Sequence, residues 1–374
     1  MEPVQAAVHA EISEVLEHYD LGQLIQFEQN LLGYNNTNFV IETEKHGETK
    51  NYFFRSYKQE ILAEEIIFEH AIIEHLLAQD IWQVARVHRT RNGDTFVIRR
   101  PGDLSKPAYY AIYEFLDGED RYSWIDPQLS SQEVRETAGV LARLHHAVVD
   151  FDPPGRRVEP KILQLLPQIA ENLKLVTSVS KGTVFDALLE ENLELLLGNC
   201  MAMQAYCDAV DWSSALEIVV HYDFHPGNLK FSDQQVVGIF DFDWSKIDLR
   251  CFDVGLAIWY LVHWKDDLNG ILRLAESMQF LETYQSTLSG LPNLVPLTEF
   301  ELQHLPVMIN LGNLFILNWT VTDFYATNAD PDEYLVYLRH SIKFSDWFTK
   351  RGQNFIQDYL ISNQIRSGKG ELLT

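Results

Sequence analysis

The sequence predicts an α+β protein of two lobes, in which a small β-rich lobe precedes a larger lobe made mostly of α-helices. Residues 24–115 consist of short runs rich in β-branched and aromatic residues, separated by turn residues. Beyond residue 118 the apolar residues recur mostly at helical spacing. A chain of 374 residues is long enough to give each lobe its own core. We therefore expect lobes over residues 1–117 and 118–374.

The first lobe is predicted to be a small antiparallel sheet that carries one main helix. Residues 39–43 and 51–55 flank the turn residues 45–48, a pattern typical of a β-hairpin. The main helix is expected over residues 60–79, where apolar residues return every three or four positions. A further helix is predicted over residues 4–19, and further strands over 85–88, 95–98 and 108–115.

The second lobe is predicted to be helical around one polar loop. Residues 218–242 are the part of this lobe that is not predicted to be helical, and their pattern indicates two short strands around a loop. Residues 306–316 are apolar but too few to cross a bilayer as a helix. Helices are expected over residues 131–148, 161–175, 184–208, 251–263 and 268–287, and again toward the C-terminus.

Composition narrows the choice of partners. The chain has 29 basic and 54 acidic residues, a formal charge of −25. Such a surface repels nucleic acid and anionic membranes, so we expect neither as a partner. The odd number of cysteines (Cys200, Cys207 and Cys251) favours reduced thiols, and the first residues lack a secretory signal. The sequence therefore predicts a cytoplasmic protein, and it leaves the oligomeric state open.

The polar loop concentrates the residues that can carry chemistry. Asp223 and Asn228 follow one apolar run, and Asp241 follows the next. Phosphoryl transfer requires metal ions that neutralise phosphate oxygens and a carboxylate that takes the proton of the attacking hydroxyl. Mg²⁺ prefers oxygen ligands, which Asn228 and Asp241 offer. Asp223 then remains to act as the base.

The spacing in this loop resembles that of a known family. His221, Asp223 and Asn228 match the H-x-D-x-x-x-x-N catalytic loop of protein-kinase-like enzymes, and residues 241–243 stand where those enzymes carry D-F-G. The form His-x-Asp-x-His-Pro-x-Asn is similar to that of the aminoglycoside phosphotransferase and choline kinase superfamily, as are residues 253–257. The resemblance implies a bilobal protein-kinase-like fold and a kinase that uses ATP and Mg²⁺ to phosphorylate a hydroxyl of a small molecule.

The same resemblance implies roles for single residues of the loop. Asp223 is expected to be the catalytic base, and Asn228 and Asp241 the magnesium ligands. Asp243 replaces the glycine of D-F-G, and choline kinase relatives carry an acidic residue there, so a second metal contact is expected. His225 is open between packing and contact with the nucleotide phosphates. Asp253 and His221 are expected to brace the catalytic loop rather than to touch a ligand.

The first lobe extends the resemblance. Residues 33–39 resemble the G-x-x-N-T-N-[FY] opening of bacterial homoserine kinases of this superfamily, where the segment forms the turn over the nucleotide phosphates. Asn36, Thr37 and Asn38 are therefore expected at the phosphates. Arg55 stands where these folds place their phosphate-pairing lysine or arginine.

Two more contacts follow from this part of the resemblance. Glu69 of the main helix is expected to form an ion pair with Arg55, and Glu65, one turn earlier, is the rival. Glu114, Phe115 and Leu116 resemble the hinge between the lobes, whose backbone groups hydrogen-bond adenine.

Several functions remain as hypotheses. Homoserine or a related amino alcohol is the leading acceptor, and choline-like, aminoglycoside-like and methylthioribose-like alcohols stay open. A different enzyme class, a dinuclear metallohydrolase, would use the five residues His221, Asp223, His225, Asp241 and Asp243. It gives no role to Asn228. A third hypothesis is a catalytically silent nucleotide-binding module.

Overall fold

The computed structural model describes residues 3–30, 36–100, 106–327 and 330–361 of the chain. This part of the chain has the predicted α+β fold and separates into two compact units. Unit 1 comprises Met1–Glu119, Asp152–Val158 and Val237–Asp243, and unit 2 comprises Asp120–Phe151, Glu159–Val236 and Trp244–Thr374. Unit 1 is thus built from three separate stretches of chain, two of which come from beyond residue 117.

The described residues of the first stretch of unit 1 form one antiparallel sheet of five strands and two helices. The elements are α1 (Pro3–Leu16), β1 (Gln23–Asn30), β2 (Thr37–Lys45), β3 (Glu48–Ser56), α2 (Ala63–Ala78), β4 (Val97–Arg99) and β5 (Ala108–Glu114). The strands lie in the order β1-β2-β3-β5-β4.

The hairpin of β2 and β3 is the centre of this sheet. Phe39 and Ile41 alternate with more exposed residues along β2, and they pack with Phe54 of β3 in one apolar core. The turn residues His46 and Gly47 have φ angles of 56° and 84°. Two residues with positive φ give a turn whose twist matches that of the flanking strands. The predicted hairpin is confirmed.

The strand predicted over residues 85–88 is wrong. Only isolated bridges occur near it, a parallel one from Val84 to Ile239 and an antiparallel one from Val87 to Tyr113. Each bridge joins a different neighbour, so the segment passes from one strand to another and no ladder of hydrogen bonds extends along it.

Unit 2 is mostly helical. Its helices are α3 (Ser131–Ala147), α4 (Ile162–Thr177), α5 (Val184–Asp208), α6 (Arg250–Trp259), α7 (Leu274–Ser289), α8 (Glu299–Ala326), α9 (Pro331–Trp347) and the short α10 (Gln353–Phe355). Short strands precede α6 in the chain, namely β6 (Glu217–Val220), β7 (Leu229–Ser232), β8 (Gln235–Ile239) and β9 (Lys246–Leu249). Residues 218–242 therefore contain three strands where two were predicted, and β8 leads into the third stretch of unit 1.

Helix α8 is the central helix of unit 2. Among the described residues it alone is long and apolar enough to cross a membrane, and 83% of its most apolar window is buried inside the protein. The apolar residues 306–316 lie inside this helix, which has 28 residues. Gly255 of α6 lies directly against it, since a Cβ at this position would come within 2.8 Å of Met308. Residues buried on all sides are expected in a core helix.

Candidate active site

Arg55, near the end of β3, holds together the first polar cluster, which lies in unit 1. Its Nη1 lies 3.2 Å from Oε1 of Glu69, and its Nη2 lies 3.0 Å from Oδ1 of Asp241. Its Nε donates to Oδ1 of Asn38 at 3.2 Å. Burial lowers the pKa of Arg55, but Asp241, Tyr113 and Glu69 outweigh burial and raise it well above its ordinary value. The charged guanidinium thus links three polar groups, which its fork of donors allows.

Two tyrosines enclose this ion pair. The rings of Tyr57 and Tyr113 lie 5.9 and 5.4 Å from Cζ of Arg55, and their hydroxyls donate to Glu69 at 3.2 and 3.0 Å. Both hydroxyls also face Nε2 of the buried His70, at 2.9 and 3.0 Å. Burial raises the pKa of Glu69, and the charge of Arg55 only partly opposes that shift. The pair therefore has a fixed geometry in a dry, hydrogen-bonded setting.

The choice between the two glutamates of α2 is decided by this cluster. Glu69 is confirmed as the partner of Arg55. Glu65 is buried as well, but its carboxylate accepts from the backbone N–H of Leu62 at 3.1 Å and lies 3.5 Å from the guanidinium of Arg157. Glu65 therefore caps its own helix and, through Arg157, holds the second stretch of unit 1 against α2.

The segment expected over the nucleotide phosphates is described only in part, since residues 33–35 lie outside the described residues. Asn36 donates to Oδ2 of Asp243 at 2.9 Å and accepts from the backbone N–H of Lys58 at 3.1 Å. Thr37 and Asn38 lie in β2, and the buried side chain of Asn38 contacts Arg55. Asn36 thus positions the carboxylate of Asp243, and Asn38 positions the guanidinium of Arg55.

Asp241 and Asp243 stand at the end of the third stretch of unit 1. Asp241 has a φ of 66°, a left-handed conformation that aspartate tolerates better than most residues. One of its oxygens is bound by Arg55, yet its side chain keeps 32% of its surface exposed. Phe242 between the two aspartates is buried. A cation can therefore reach the carboxylate of Asp241.

The predicted hinge residues lie at the end of β5. Glu114 is the last residue of this strand, and its N–H donates to the carbonyl of Arg86 at 2.8 Å. Phe115 and Leu116 follow the strand and are half-buried. The N–H of Glu114 is thus already engaged within unit 1.

In unit 2, Asp253 in the first turn of α6 holds the predicted catalytic loop. Its carboxylate accepts from the backbone N–H groups of Tyr222, at 2.7 Å, and His221, at 3.2 Å. His145 faces the same carboxylate at 3.0 Å and is itself fixed by the hydroxyl of Tyr284 at 2.7 Å. The bracing role predicted for Asp253 is confirmed. The brace is needed because Tyr222 has a φ of 69°, which is strained for a bulky residue.

Asp223 follows this strained residue, and both of its carboxylate oxygens are engaged. Oδ1 accepts from the hydroxyl of Tyr260 at 2.6 Å, and Oδ2 accepts from Nδ2 of Asn228 at 3.0 Å. Nε2 of His225 lies 3.5 Å from Oδ2. Burial raises the pKa of Asp223, but His225 and Tyr260 outweigh burial, so the pKa lies below its ordinary value. The carboxylate is therefore ionised at neutral pH and able to accept a proton.

Asn228 and His225 belong to the same tight turn, a 3₁₀-helix over Pro226–Asn228. The amide nitrogen of Asn228 donates both to the backbone carbonyl and to the carboxylate of Asp223, at 2.9 and 3.0 Å. Its amide oxygen is thus the atom available to a cation. His225 accepts from the N–H of Gly227 through Nδ1 at 3.0 Å and presents Nε2 to Asp223. Both ring nitrogens of His225 therefore face protein groups.

Each unit offers an oxygen donor of the kind that suits a hard divalent cation. Asn228 offers an amide oxygen and Asp241 a partly exposed carboxylate, and oxygen ligands of this kind suit Mg²⁺. Few protein ligands are expected for a Mg²⁺ ion that binds a nucleotide, because phosphates and water fill its other coordination positions. Among the described residues, no group of three or more His, Cys, Asp and Glu side chains could hold a metal ion without such help. The metallohydrolase hypothesis requires such a group.

Sequence reasoning missed Tyr260. It directly follows the apolar helix α6, and a tyrosine in that position has the pattern of an ordinary core residue. The only available signal was its spacing from Asp253, two helical turns, which places both residues on one face of the helix.

Comparison with known proteins shows the family and the fold of the chain. The model of the phosphotransferase enzyme family matches residues 26–286. A homoserine kinase of Bradyrhizobium sp. (strain BTAi1 / ATCC BAA-1182) is 27% identical over 341 residues, which cover 88% of this chain and 91% of the relative. The fold is similar to that of an amicoumacin kinase solved in complex with AMP-PNP, Ca²⁺ and its ligand, with a TM-score of 0.65, 17% identity, and coverage of 92% of this chain and 94% of the other.

A microcompartment-associated aminopropanol kinase also shares the fold, with a TM-score of 0.63 and 17% identity over 92% of this chain and 98% of the other. These likenesses confirm the predicted protein-kinase-like fold. The family model covers more than half of the 374 residues and includes both polar clusters. The chain therefore belongs to the phosphotransferase enzyme family and is a small-molecule kinase.

Proposed function

We propose that the protein transfers the γ-phosphoryl group of ATP, with Mg²⁺, to the hydroxyl of homoserine or a closely related amino alcohol. The observation that carries the proposal is the carboxylate of Asp223, which is half-buried, ionised and fixed at both oxygens. Such a carboxylate suits the proton-accepting step of phosphoryl transfer. The acceptor is proposed because the homoserine kinase of Bradyrhizobium matches this chain over most of its length.

In this proposal Asp223 takes the proton of the acceptor hydroxyl. The hydroxyl oxygen forms a bond to the γ-phosphorus, and the bond from that phosphorus to the bridging oxygen breaks, which leaves ADP. A bound metal ion would neutralise the phosphate oxygens, and Asn228 and Asp241 would hold it, with Asp243 as a further contact. Each role requires only donor atoms that these side chains offer.

Arg55 is proposed to contact the phosphates while it keeps its ion pairs. A guanidinium has five N–H donors. Among the described residues, Glu69, Asp241 and Asn38 accept from it through its three nitrogens. Further N–H groups on its two terminal nitrogens remain for a phosphate. Adenine is proposed to meet the backbone of Phe115 and Leu116, beside the engaged N–H of Glu114.

We also propose that the reaction takes place in the cytoplasm. Cys200, Cys207 and Cys251 are free and buried, as is usual for a protein that folds in a reducing compartment.

The test of the acceptor is ATP consumption with Mg²⁺ against homoserine, choline, ethanolamine, methylthioribose and aminoglycosides. Turnover that depends on homoserine or another amino alcohol is expected. Turnover with an aminoglycoside alone would refute the proposed acceptor. If ATP does not raise the melting temperature of the protein, the proposal that ATP is the phosphoryl donor is refuted as well.

Two variants separate the proposed base from the proposed metal ligand. Asp223→Ala is expected to abolish transfer and to leave nucleotide binding nearly unchanged, because the side chain acts on the acceptor. Asp241→Ala is expected to weaken binding of the metal–nucleotide complex as well as turnover. Calorimetric titration with Mg·ATP and steady-state rates measure both effects. Wild-type rates in either variant would contradict its assigned role.

A further inference from the structure

Tyr260 directly follows α6 and is almost completely buried. Its hydroxyl donates to Oδ1 of Asp223 at 2.6 Å. The same helix carries Asp253 in its first turn, where the carboxylate holds the backbone of the catalytic loop. One helix therefore holds the loop in two places, at the backbone through Asp253 and at the functional carboxylate through Tyr260.

The ring of Tyr260 is itself held by its neighbours. The centroid of its ring lies 4.7 Å from that of His225, 5.3 Å from that of Trp259 and 6.4 Å from that of Trp124. Aromatic contacts of this kind restrict the ring to one orientation. Burial raises the pKa of Tyr260 well above its ordinary value, and the charge of Asp223 adds to the shift. The hydroxyl therefore remains a donor throughout the neutral pH range.

The two oxygens of Asp223 are bound from different directions. Oδ2 accepts from Asn228, which belongs to the catalytic loop itself, whereas Oδ1 accepts from Tyr260, which stands at the end of α6. A single anchor leaves a carboxylate free to turn about its Cβ–Cγ bond. Two anchors fix its plane, and with it the direction of the lone pairs that remain.

We propose that Tyr260 is a positioning residue for phosphoryl transfer, because its hydroxyl fixes the carboxylate of Asp223 in the orientation that receives the proton of the acceptor. Tyr260 keeps its own proton, and the proton of the acceptor goes to Asp223. This inference rests on the proposed function of Asp223 as the base. It assigns to Tyr260 no contact with the acceptor or the nucleotide.

The test begins with Tyr260→Phe, which keeps the ring and removes only the hydroxyl. The expected result is a fall in kcat of about 10- to 100-fold, since a small misplacement of a reacting group has effects of this size. The KM for the acceptor and the Kd for Mg·ATP are expected to stay within about twofold of wild type, because binding contacts are unchanged. A kcat within twofold of wild type would overturn the proposal.

The matched control is Tyr325→Phe. The hydroxyl of Tyr325 also donates to a carboxylate in unit 2, that of Asp186, which caps the start of α5 through the backbone N–H of Thr183. This variant loses the same kind of hydrogen bond and is expected to keep the wild-type kcat. An equal fall in both variants would indicate a general loss of structure and would contradict the specific role of Tyr260.

A double-mutant cycle distinguishes positioning from a merely structural role. In an Asp223→Asn background the carboxylate is absent, so Tyr260→Phe is expected to cause no further loss of the residual rate. If Tyr260→Phe lowers the residual rate in that background by the same factor as in the wild-type enzyme, Tyr260 does not act through Asp223.

A crystal structure of Tyr260→Phe gives a readout that needs no acceptor. The carboxylate of Asp223 is expected to turn or to occupy two conformers, and an unchanged carboxylate would overturn the inference. Failure of the proposed function has a separate signature, namely a wild-type enzyme that is silent with every acceptor of the panel.

Discussion

At the scale of single residues, Arg55 shows why an arginine stands where a lysine is also found in folds of this kind. Its three nitrogens contact Glu69, Asp241 and Asn38 at the same time. A lysine presents one nitrogen at the end of a flexible stem and cannot reach three separate acceptors in this planar arrangement. Arginine at this position therefore joins β3, α2 and the third stretch of unit 1.

We expect Arg55→Lys to lower the free energy of unfolding by about 1–3 kcal/mol, because one or more buried acceptors lose their donor. The shift of the melting temperature produced by Mg·ATP is expected to shrink too. The control is Arg156→Lys, at an exposed ion pair with Glu64 whose contribution is about 0–1 kcal/mol. Equal stabilities of both variants, measured by urea unfolding, would contradict this account of Arg55.

At the scale of elements, α6 joins the loop of Asp223 and Asn228 to the core. One side of the helix packs against α8 so closely that only glycine fits at position 255. A Cβ there would lie 2.8 Å from Met308 and 2.9 Å from the backbone nitrogen of Ile309. The position of the helix, and with it the loop that Asp253 holds, therefore depends on the absence of one side chain.

Gly255→Ala is expected to lower the free energy of unfolding by about 1–3 kcal/mol, the usual cost of overpacking. Gly198→Ala, in α5, is the control, since a Cβ added there would meet no atom within 4 Å. In that variant the gain in helix propensity is expected to stabilise the protein by about 0.5–1 kcal/mol. Chemical denaturation of the two variants should give changes of opposite sign, and equal signs would refute the close-packing argument.

The local patterns of the sequence predicted most elements but few of the contacts between them. The hairpin and the long helix α5 were predictable because side-chain periodicity and turn residues are local signals. The loop with Asp223 and Asn228 was recognised from its spacing. The ion pair of Arg55 and Asp241 joins residues 186 positions apart, and no local pattern encodes such a pairing. Tyr260 escaped notice for the same reason.

At the scale of the whole molecule, each unit buries a neutral histidine. Burial, together with the charges of Arg55 and Arg89, lowers the pKa of His70 in unit 1 to about 3. Burial also lowers the pKa of His340 in unit 2 well below its ordinary value. His70 is further surrounded by the hydroxyls of Tyr57 and Thr95. Both histidines must therefore remain uncharged while the protein is folded at neutral pH.

This burial predicts acid lability. Below pH about 6.5, His70 binds a proton in the unfolded chain but stays neutral in the folded chain. The free energy of unfolding therefore falls as the pH falls, by up to about 1.4 kcal/mol per pH unit. The contribution continues toward pH 3, where the folded state would also titrate. Urea unfolding between pH 7 and 5 is expected to show a shallower dependence in His70→Gln than in wild type. Parallel curves for wild type and His70→Gln would contradict the prediction.

The three-stretch construction of unit 1 has a consequence for its synthesis. A ribosome releases Met1–Glu119 more than a hundred residues before Val237–Asp243 emerges. At about 5–20 residues per second this interval lasts on the order of ten seconds. Throughout it, Arg55 has Glu69 nearby but lacks Asp241, which the ribosome has yet to translate. The nascent first stretch is therefore incompletely folded, and Arg55 lacks one of its two ion-pair partners. Unit 1 can complete its fold only after the segment with Asp241 has been synthesised.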